Sequence, residues 1–335
     1  MPLVAIDASE AAAAQPRGWS LYVRELTRGL GAEHGFEVRA LSDRGRLPEV
    51  FWEQVQLPRA LSRAGAAIVH APNCFLPLRR PCPGVVTIHD LAFEAHPEDF
   101  SGRTGAKYRF FTPRTARSAE RVICVSEFTR DDVCDRYGVD AGKVRVIGEA
   151  AALPAGDEPP PPGPYLLAVG DLRAKKNLGR LVQAWLALRR EGLEHRLVLA
   201  GIDAGEGRRL RAAAGDAPLE LTGYVTPARL DALYRGAGVL AHPSLYEGFG
   251  LPVVEAMARG VPVACANATA LPETAAGAAL LFDPLDVGDI ARALRELLGD
   301  AALRAHLALA GRDRAAQLSW ARTAAATADV YRELL

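Results

Sequence analysis

Short apolar runs alternate with helix-length amphipathic stretches along this chain, and after four consecutive prolines, Pro159 to Pro162, the alternation starts again. Before the break, Leu3 to Ile6, Val85 to Ile88 and Val122 to Val125 read as buried strands. Such runs, separated by helices, predict a parallel sheet covered on both faces. After the break, strands are expected at Tyr165 to Val169, Arg196 to Ala200, Leu219 to Thr222 and Val239 to Ala241, with helices at Leu178 to Arg190 and Pro227 to Arg235. A second α/β domain follows from that restart. The 335 residues also exceed what one core usually organises, and the prior is two domains of about 150 residues.

The prolines lie in a segment too stiff and too poor in donors for a helix or sheet interior. The expected division is residues 1–152, a Pro-rich linker at 153–164, a second domain at 165–318 and a final helix at 319–335, where Ser319 is placed to cap.

Forty basic residues balance forty acidic ones, so no global field attracts nucleic acid, and an anionic ligand needs a local site. Five cysteines, without pair spacing or a histidine cluster nearby, fit a reducing compartment without structural zinc. Leu3 to Ile6 is too short for a signal sequence, and no apolar run approaches the roughly 20 residues of a membrane span. A cytoplasmic protein is expected, at most peripheral on the inner face of the membrane. Arg103, Lys107, Arg109, Arg114, Arg117 and Arg121, with Tyr108, Phe110 and Phe111 among them, form either a surface for anionic lipid or an ordinary solvated helix face.

The most informative stretch runs from Pro243 through Tyr246-Glu247-Gly248-Phe249-Gly250-Leu251-Pro252 to Glu255. It reads as strand, glycine loop, helix. Pro252 suits a first helical turn, and Gly248 and Gly250 let backbone approach a ligand closely. Amides at such a helix start suit a diphosphate. Glu247 precedes the turn and Glu255 lies eight positions on; a carboxylate accepts from two vicinal hydroxyls, as on a ribose or a hexose. Solvated glutamates around a helix cap are the alternative for either residue taken alone.

At the exit of the second domain's first strand, Gly170-Asp171-Leu172-Arg173-Ala174-Lys175-Lys176 leads into a helix. Its three cations suit a leaving diphosphate, although a solvated basic loop has the same composition. His89, in Thr87-Ile88-His89-Asp90, stands at a strand end where ligands of parallel sheets bind. A structural histidine is the competing reading.

These residues resemble the retaining, two-domain glycosyltransferases of family four, including lipopolysaccharide and exopolysaccharide mannosyltransferases, over essentially the whole chain. The paired Glu247 and Glu255 within Tyr-Glu-Gly-Phe-Gly-Leu-Pro carry the resemblance, supported by Gly223-Tyr224-Val225, Leu271-Pro272-Glu273 and Phe282-Asp283-Pro284. The resemblance implies a GT-B fold, two Rossmann-like domains facing a central cleft, with donor against the second domain and acceptor against the first. It also implies that Glu255 holds the ribose, that Glu247 and the Phe249 to Leu251 backbone hold the donor sugar, and that Lys176, helped by Lys175 or Arg173, meets the diphosphate. Gly170 and Gly18 would lie near the phosphates, His89 would touch the transferred sugar, and Trp320 to Leu335 would pass back onto the first domain.

Three positions depart from the family's pattern. Ser20 replaces a common glycine beside Gly18, Asp171 stands where relatives often have arginine, and Gly148-Glu149-Ala150 replaces a proline-containing segment.

No two aspartates are spaced as Asp-x-Asp, so protein cations rather than a metal are expected to meet the phosphate charge. The reaction expected is hexosyl transfer, retaining by resemblance, from a nucleotide-diphosphate sugar, GDP-mannose as first guess, to a glycan or lipid-linked acceptor in surface polysaccharide synthesis. A nucleotide-sugar epimerase, a sugar phosphorylase and a non-catalytic donor-binding subunit remain as alternatives. A dinucleotide-dependent dehydrogenase is disfavoured, because Gly248 and Gly250 lack a third glycine.

Overall fold

The computed structural model describes residues 1–9, 18–31, 34–43 and 48–335. They form two compact units, Met1–Ala150 with Leu318–Leu335, and Ala151–Gln317.

The first unit is built on a six-stranded parallel sheet of β1 (Leu3–Asp7), β2 (Glu37–Leu41), β3 (Ile68–Ala71), β4 (Gly84–Ile88), β5 (Arg121–Cys124) and β6 (Val144–Val146), in the order β2-β1-β3-β4-β5-β6. Alternate residues serve opposite faces. Val4, Ile6, Ile68, Val85 and Ile123 pack with Tyr22, Leu26, Ala324, Ala328 and Tyr331, while Ala5, Val69, Val86, Val122 and Cys124 pack with Trp52, Leu57 and Leu61. Burial on both faces makes these strands continuous apolar runs.

The strands β2 and β6, which the sequence reading did not single out, lie at the sheet's two edges. Edge position explains the charges of β2, where Glu37 and Arg39 alternate with Val38.

Helix Trp320–Arg332 supplies part of this unit's core, and the Ser319 hydroxyl accepts from the Arg322 amide at its start. It packs closely on helix Gly18–Gly29, where a Cβ added at Gly29 would lie 2.9 Å from that of Ala324. A buried polar chain ties the same helix to the sheet. Tyr331 Oη lies 2.7 Å from His70 Nδ1, His70 Nε2 lies 2.8 Å from Thr87 Oγ1, and Tyr22 Oη lies 3.1 Å from that hydroxyl. Burial lowers the His70 pKa to about 3, so the chain is neutral at physiological pH.

The second unit repeats the architecture with β7 (Tyr165–Val169), β8 (Arg196–Ala200), β9 (Leu219–Gly223), β10 (Val239–His242), β11 (Val263–Ala266) and β12 (Leu280–Phe282), ordered β12-β11-β10-β7-β8-β9 and parallel throughout. Trp185, Leu181, Leu166, Val198, Leu240 and Met257 lie in its core. The chain runs outward from β7 to β9 and then returns to lay β10 on the other side of β7. The crevice at the carboxyl ends of β7 and β10 is therefore this sheet's topological switch point, where ligands of such sheets bind.

Part of the expected linker is pinned to the second unit. Gly156 N donates to Asp231 Oδ2 at 3.0 Å, Arg235 donates to Gly156 O and Glu158 O, and Arg259 donates to Leu153 O. Burial alone would raise the Asp231 carboxyl, but Arg235, Arg259 and the Gly156 amide outweigh it and hold its pKa below the usual range.

Candidate active site

The loops leaving β7 and β10 are joined directly. The turn Ala174–Lys176 ends at Asn177 in the left-handed region, φ 56°, a conformation asparagine tolerates better than most residues. Its position before a helix suggests a cap, but its side chain caps nothing. Instead Nδ2 donates to Pro243 O at 3.1 Å and to Pro284 O at 2.7 Å, and Leu245 N donates to Lys175 O at 2.8 Å.

Gly170, with φ 141°, makes room for the lysine that follows. A Cβ there would lie 2.9 Å from Lys176 Cε. The Lys176 stem thereby folds back over the strand end, and its ammonium pairs directly with Glu247 Oε1.

Glu247 is buried and has two further partners. His242 Nε2, from the last residue of β10, lies 3.0 Å from the same Oε1, and Glu247 N donates to Thr269 Oγ1 at 3.0 Å. Thr269 itself has φ 53°, an outlier for a β-branched residue. Burial acts to raise the Glu247 carboxyl, but Lys176, the His242 hydrogen bond and Lys175 prevail and hold its pKa well below the ordinary value. Burial, with the charges of Lys176 and Lys175 added, outweighs Glu247 and holds the His242 pKa below its ordinary value, so His242 donates Nε2–H to an anionic Glu247. His242 and Thr269 were missed in the sequence; the signal available for His242 was the one noticed at His89, a histidine at a strand's carboxyl end.

From Glu247 the chain passes through Gly248 and the buried Phe249, whose carbonyl accepts from Thr274 Oγ1 at 2.5 Å, into helix Leu251–Ala258. Gly250 opens that helix at φ 99°, and the Val253 amide donates back to it at 2.9 Å. The first amides of any helix have no acceptor within it.

Glu255 is buried inside the helix and takes a hydrogen bond from Tyr234 Oη at 2.8 Å. Burial raises its pKa, opposed by Tyr234 and Arg259. The two glutamates thus differ: Glu247 belongs to the Lys176 cluster, whereas Glu255 is held by Tyr234. Arg173 stands 3.7 Å from Asp171, so the acidic departure falls beside a cation of its own loop.

His89 and Gly18 belong to the first unit. Gly18 is exposed at the start of helix Gly18–Gly29, and its neighbour Arg17 lies outside the described residues. Ser20 is buried. The His89 ring has both nitrogens engaged, Nδ1 at 2.8 Å from Glu149 Oε1 and Nε2 at 2.9 Å from Pro72 O. Glu149, part of the unusual Gly148-Glu149-Ala150 segment, thereby acquires a structural partner.

The basic stretch 103–121 is mostly committed internally. Lys107 pairs with Glu49 and Glu53, Arg109 donates to Phe93 O, Arg117 to Tyr137 O, and Arg121 to Glu333. Arg114 stacks over the exposed Phe110 ring, 3.7 Å from its centroid. Among the described residues no helix is long and apolar enough to cross a membrane.

Residues 154–314 match the family described as glycosyl transferases group 1, and residues 11–150 match glycosyltransferase family 4. The chain is 30% identical over 293 residues to the O-antigen chain mannosyltransferase B of Escherichia coli, covering 80% of this chain and 74% of that protein. It spans 34% of the length of a longer E. coli relative, the serotype-specific mannosyltransferase WbdA. Among solved structures, sucrose-phosphate synthase from Thermosynechococcus elongatus superposes with a TM-score of 0.79 at 24% identity, covering 100% of this chain and 99% of that one. Anabaena HepE in complex with UDP and glucose superposes with a TM-score of 0.75 at 16% identity, covering 100% of both chains.

Proposed function

The chain belongs to the glycosyltransferases of group 1 and family 4, with the GT-B fold, and from that premise we propose that it moves a hexosyl group from a nucleoside diphosphate sugar to a glycan or lipid-linked acceptor in surface polysaccharide synthesis. Mannose from a guanosine diphosphate donor is the first candidate, because the relatives include mannosyltransferases. The UDP and glucose named with the Anabaena structure make a uridine donor the first comparison. The observation that carries the reading is the cluster at the carboxyl ends of β7 and β10, where the Lys176 ammonium and the Glu247 carboxylate meet next to a glycine turn and a helix start.

In this reading the helix amides after Gly248 and Gly250 receive the diphosphate, with Lys176 and the nearby Lys175 and Arg173 supplying positive charge. Glu255 takes the ribose diol and Glu247 the hydroxyls of the sugar. The bond from the anomeric carbon to the phosphate oxygen breaks through an oxocarbenium-like transition state, and the leaving diphosphate takes the electron pair. Lys176 is paired with Glu247, and its charge is proposed to act on the phosphate oxygen as negative charge develops there. The acceptor oxygen forms the new bond, with retention of configuration, and its hydroxyl proton passes to the departing phosphate oxygen, which has taken the electron pair. Charge stabilisation by protein cations, without a metal, is part of the proposal.

Work in the cytoplasm is proposed with it. Contact with the membrane's inner face would rest on Arg103, Arg114 and Phe110, and flotation on vesicles with and without anionic lipid tests that contact.

Thermal unfolding against a panel of nucleotide sugars tests donor binding, since a ligand specific for the native state raises apparent stability. Radiolabelled donor with extracted lipid-linked acceptors tests transfer. Turnover without acceptor would favour an epimerase or hydrolase, dependence on free phosphate a phosphorylase, and binding without turnover a donor-binding subunit.

A further inference from the structure

Glu149 has no role in the family resemblance, yet it is only 4% exposed and its carboxylate is directed at the ring of His89. The segment carrying it is fixed at two points. Ile147 N donates to Cys124 O at 2.9 Å, and Thr323 Oγ1, from helix Trp320–Arg332, donates to Gly148 O at 2.8 Å. On the other side of the ring, Pro72 presents a carbonyl, which can only accept. A neutral imidazole has one N–H and one bare lone pair, whereas an imidazolium has two N–H groups, and two acceptors call for the latter.

We propose that Glu149 is a positioning residue that keeps His89 doubly protonated at neutral pH, so that in the transfer reaction proposed above His89 acts as a fixed positive charge and not as a base. The inference rests on that functional reading only for its consequence in catalysis.

The surroundings are consistent. Burial opposes charge on His89, but the hydrogen bond and charge of Glu149, the Pro72 carbonyl and the neighbouring Asp90 outweigh it and raise its pKa. From β3, His70 is kept neutral by burial and adds no repulsion. Cys74 stays a thiol, its pKa pushed up to about 12. From helix Gly18–Gly29, Tyr22 sets its ring edgewise to His89, centroids 4.8 Å apart, and its hydroxyl is turned to Thr87. An imidazolium whose two protons are both committed has no lone pair with which to take a proton from an acceptor hydroxyl.

The test is nitrogen NMR of the full-length protein labelled in its histidine rings, with His89 assigned by the signal lost in His89→Gln. Wild-type His89 is expected to give two protonated nitrogens at about pH 7.5, and in Glu149→Gln its titration midpoint falls by about one pH unit or more. Glu149→Asp recovers part of the shift, and Thr323→Val, which frees Gly148, loses part of it. The kcat profile follows the same displacement, with the alkaline loss of activity moving to lower pH in Glu149→Gln.

A neutral His89 in the wild type at about pH 7, accepting a hydrogen bond from a protonated Glu149, overturns the proposal, as does an unchanged titration in Glu149→Gln. If Glu149→Gln does not fold, the wild-type spectrum decides by itself. Absence of transfer activity in every form counts against the functional reading and leaves the NMR result standing.

Discussion

Lys176 and Glu247 lie 71 positions apart, and the ammonium of the first donates to Oε1 of the second. The pairing follows from topology: β7 and β10 are adjacent, and each hands its following loop to the same edge of the sheet. Both side chains are largely hidden from water, with 13% and 11% exposure. Each carries a charge that is costly to leave alone.

Lys176→Met is therefore expected to weaken both stability and function. Removing one partner of a largely buried pair costs about 3 kcal/mol, less whatever His242 recovers, and thermal unfolding measures it. Transfer is expected to fall by about 100-fold or more through loss of charge at the leaving group. A Lys176→Met protein with wild-type turnover would remove Lys176 from the mechanism.

Glu53 makes stability depend on pH. Burial raises its pKa to about 7 from the model-compound 4.5, against the opposing pull of Lys107 and with the help of Asp7 and Glu49. Because the folded value is the higher one, Glu53 contributes fully below about 4.5, and that contribution disappears as pH rises through about 7. Glu53→Gln removes the titrating group. Urea unfolding at several pH values from about 5 to 8 should therefore show a smaller alkaline loss in the variant than in the wild type.

Gly201 and Gly250 are expected to differ in their response to alanine. A Cβ at Gly201 would lie 2.0 Å from Gly170 O, which is backbone, whereas one at Gly250 would meet Leu271 Cδ2 at 2.6 Å, which is the end of a side chain. Both glycines have positive φ. Gly250→Ala should cost roughly 1–3 kcal/mol, and Gly201→Ala more, with displacement of the β7 loop that carries Lys176. Unfolding midpoints and donor affinities of the two variants check the order.

Tyr331 tests the returning helix. Tyr331→Phe leaves His70 Nδ1 buried without its 2.7 Å partner, at an expected cost of about 1–3 kcal/mol. Deleting residues 318–335 should be far worse, because it uncovers the face formed by Val4, Ile6, Tyr22 and Leu26. Near-ultraviolet circular dichroism and binding of a hydrophobic dye would register the loss. A truncated chain that keeps native packing would contradict the assignment of this helix to the first core.

The strand runs at β1, β4, β5, β7, β8 and β10 were readable because each buries side chains locally recognisable as apolar, β9 because Leu219 and Leu221 pack partly buried against the same core, and the glycine loop before Glu255 carries its chemistry within a few residues. Lys176 and Glu247 were each visible for the same reason, as a charge beside a strand end. Their contact was not, nor was the part played by Asn177, Thr269, Tyr234 and Glu149, whose partners come from other elements, nor that of His242, which the turn after β10 folds back onto Glu247 five positions on. The basic stretch 103–121 shows the same limit from the other side, since composition displays the cations but not the carbonyls and carboxylates that engage most of them. Local pattern, then, determined which segments become strands and helices and which residues bear charge at their ends. The order of strands in each sheet decided which of those charges meet, because burial and pairing depend on neighbours that only the folded chain brings together.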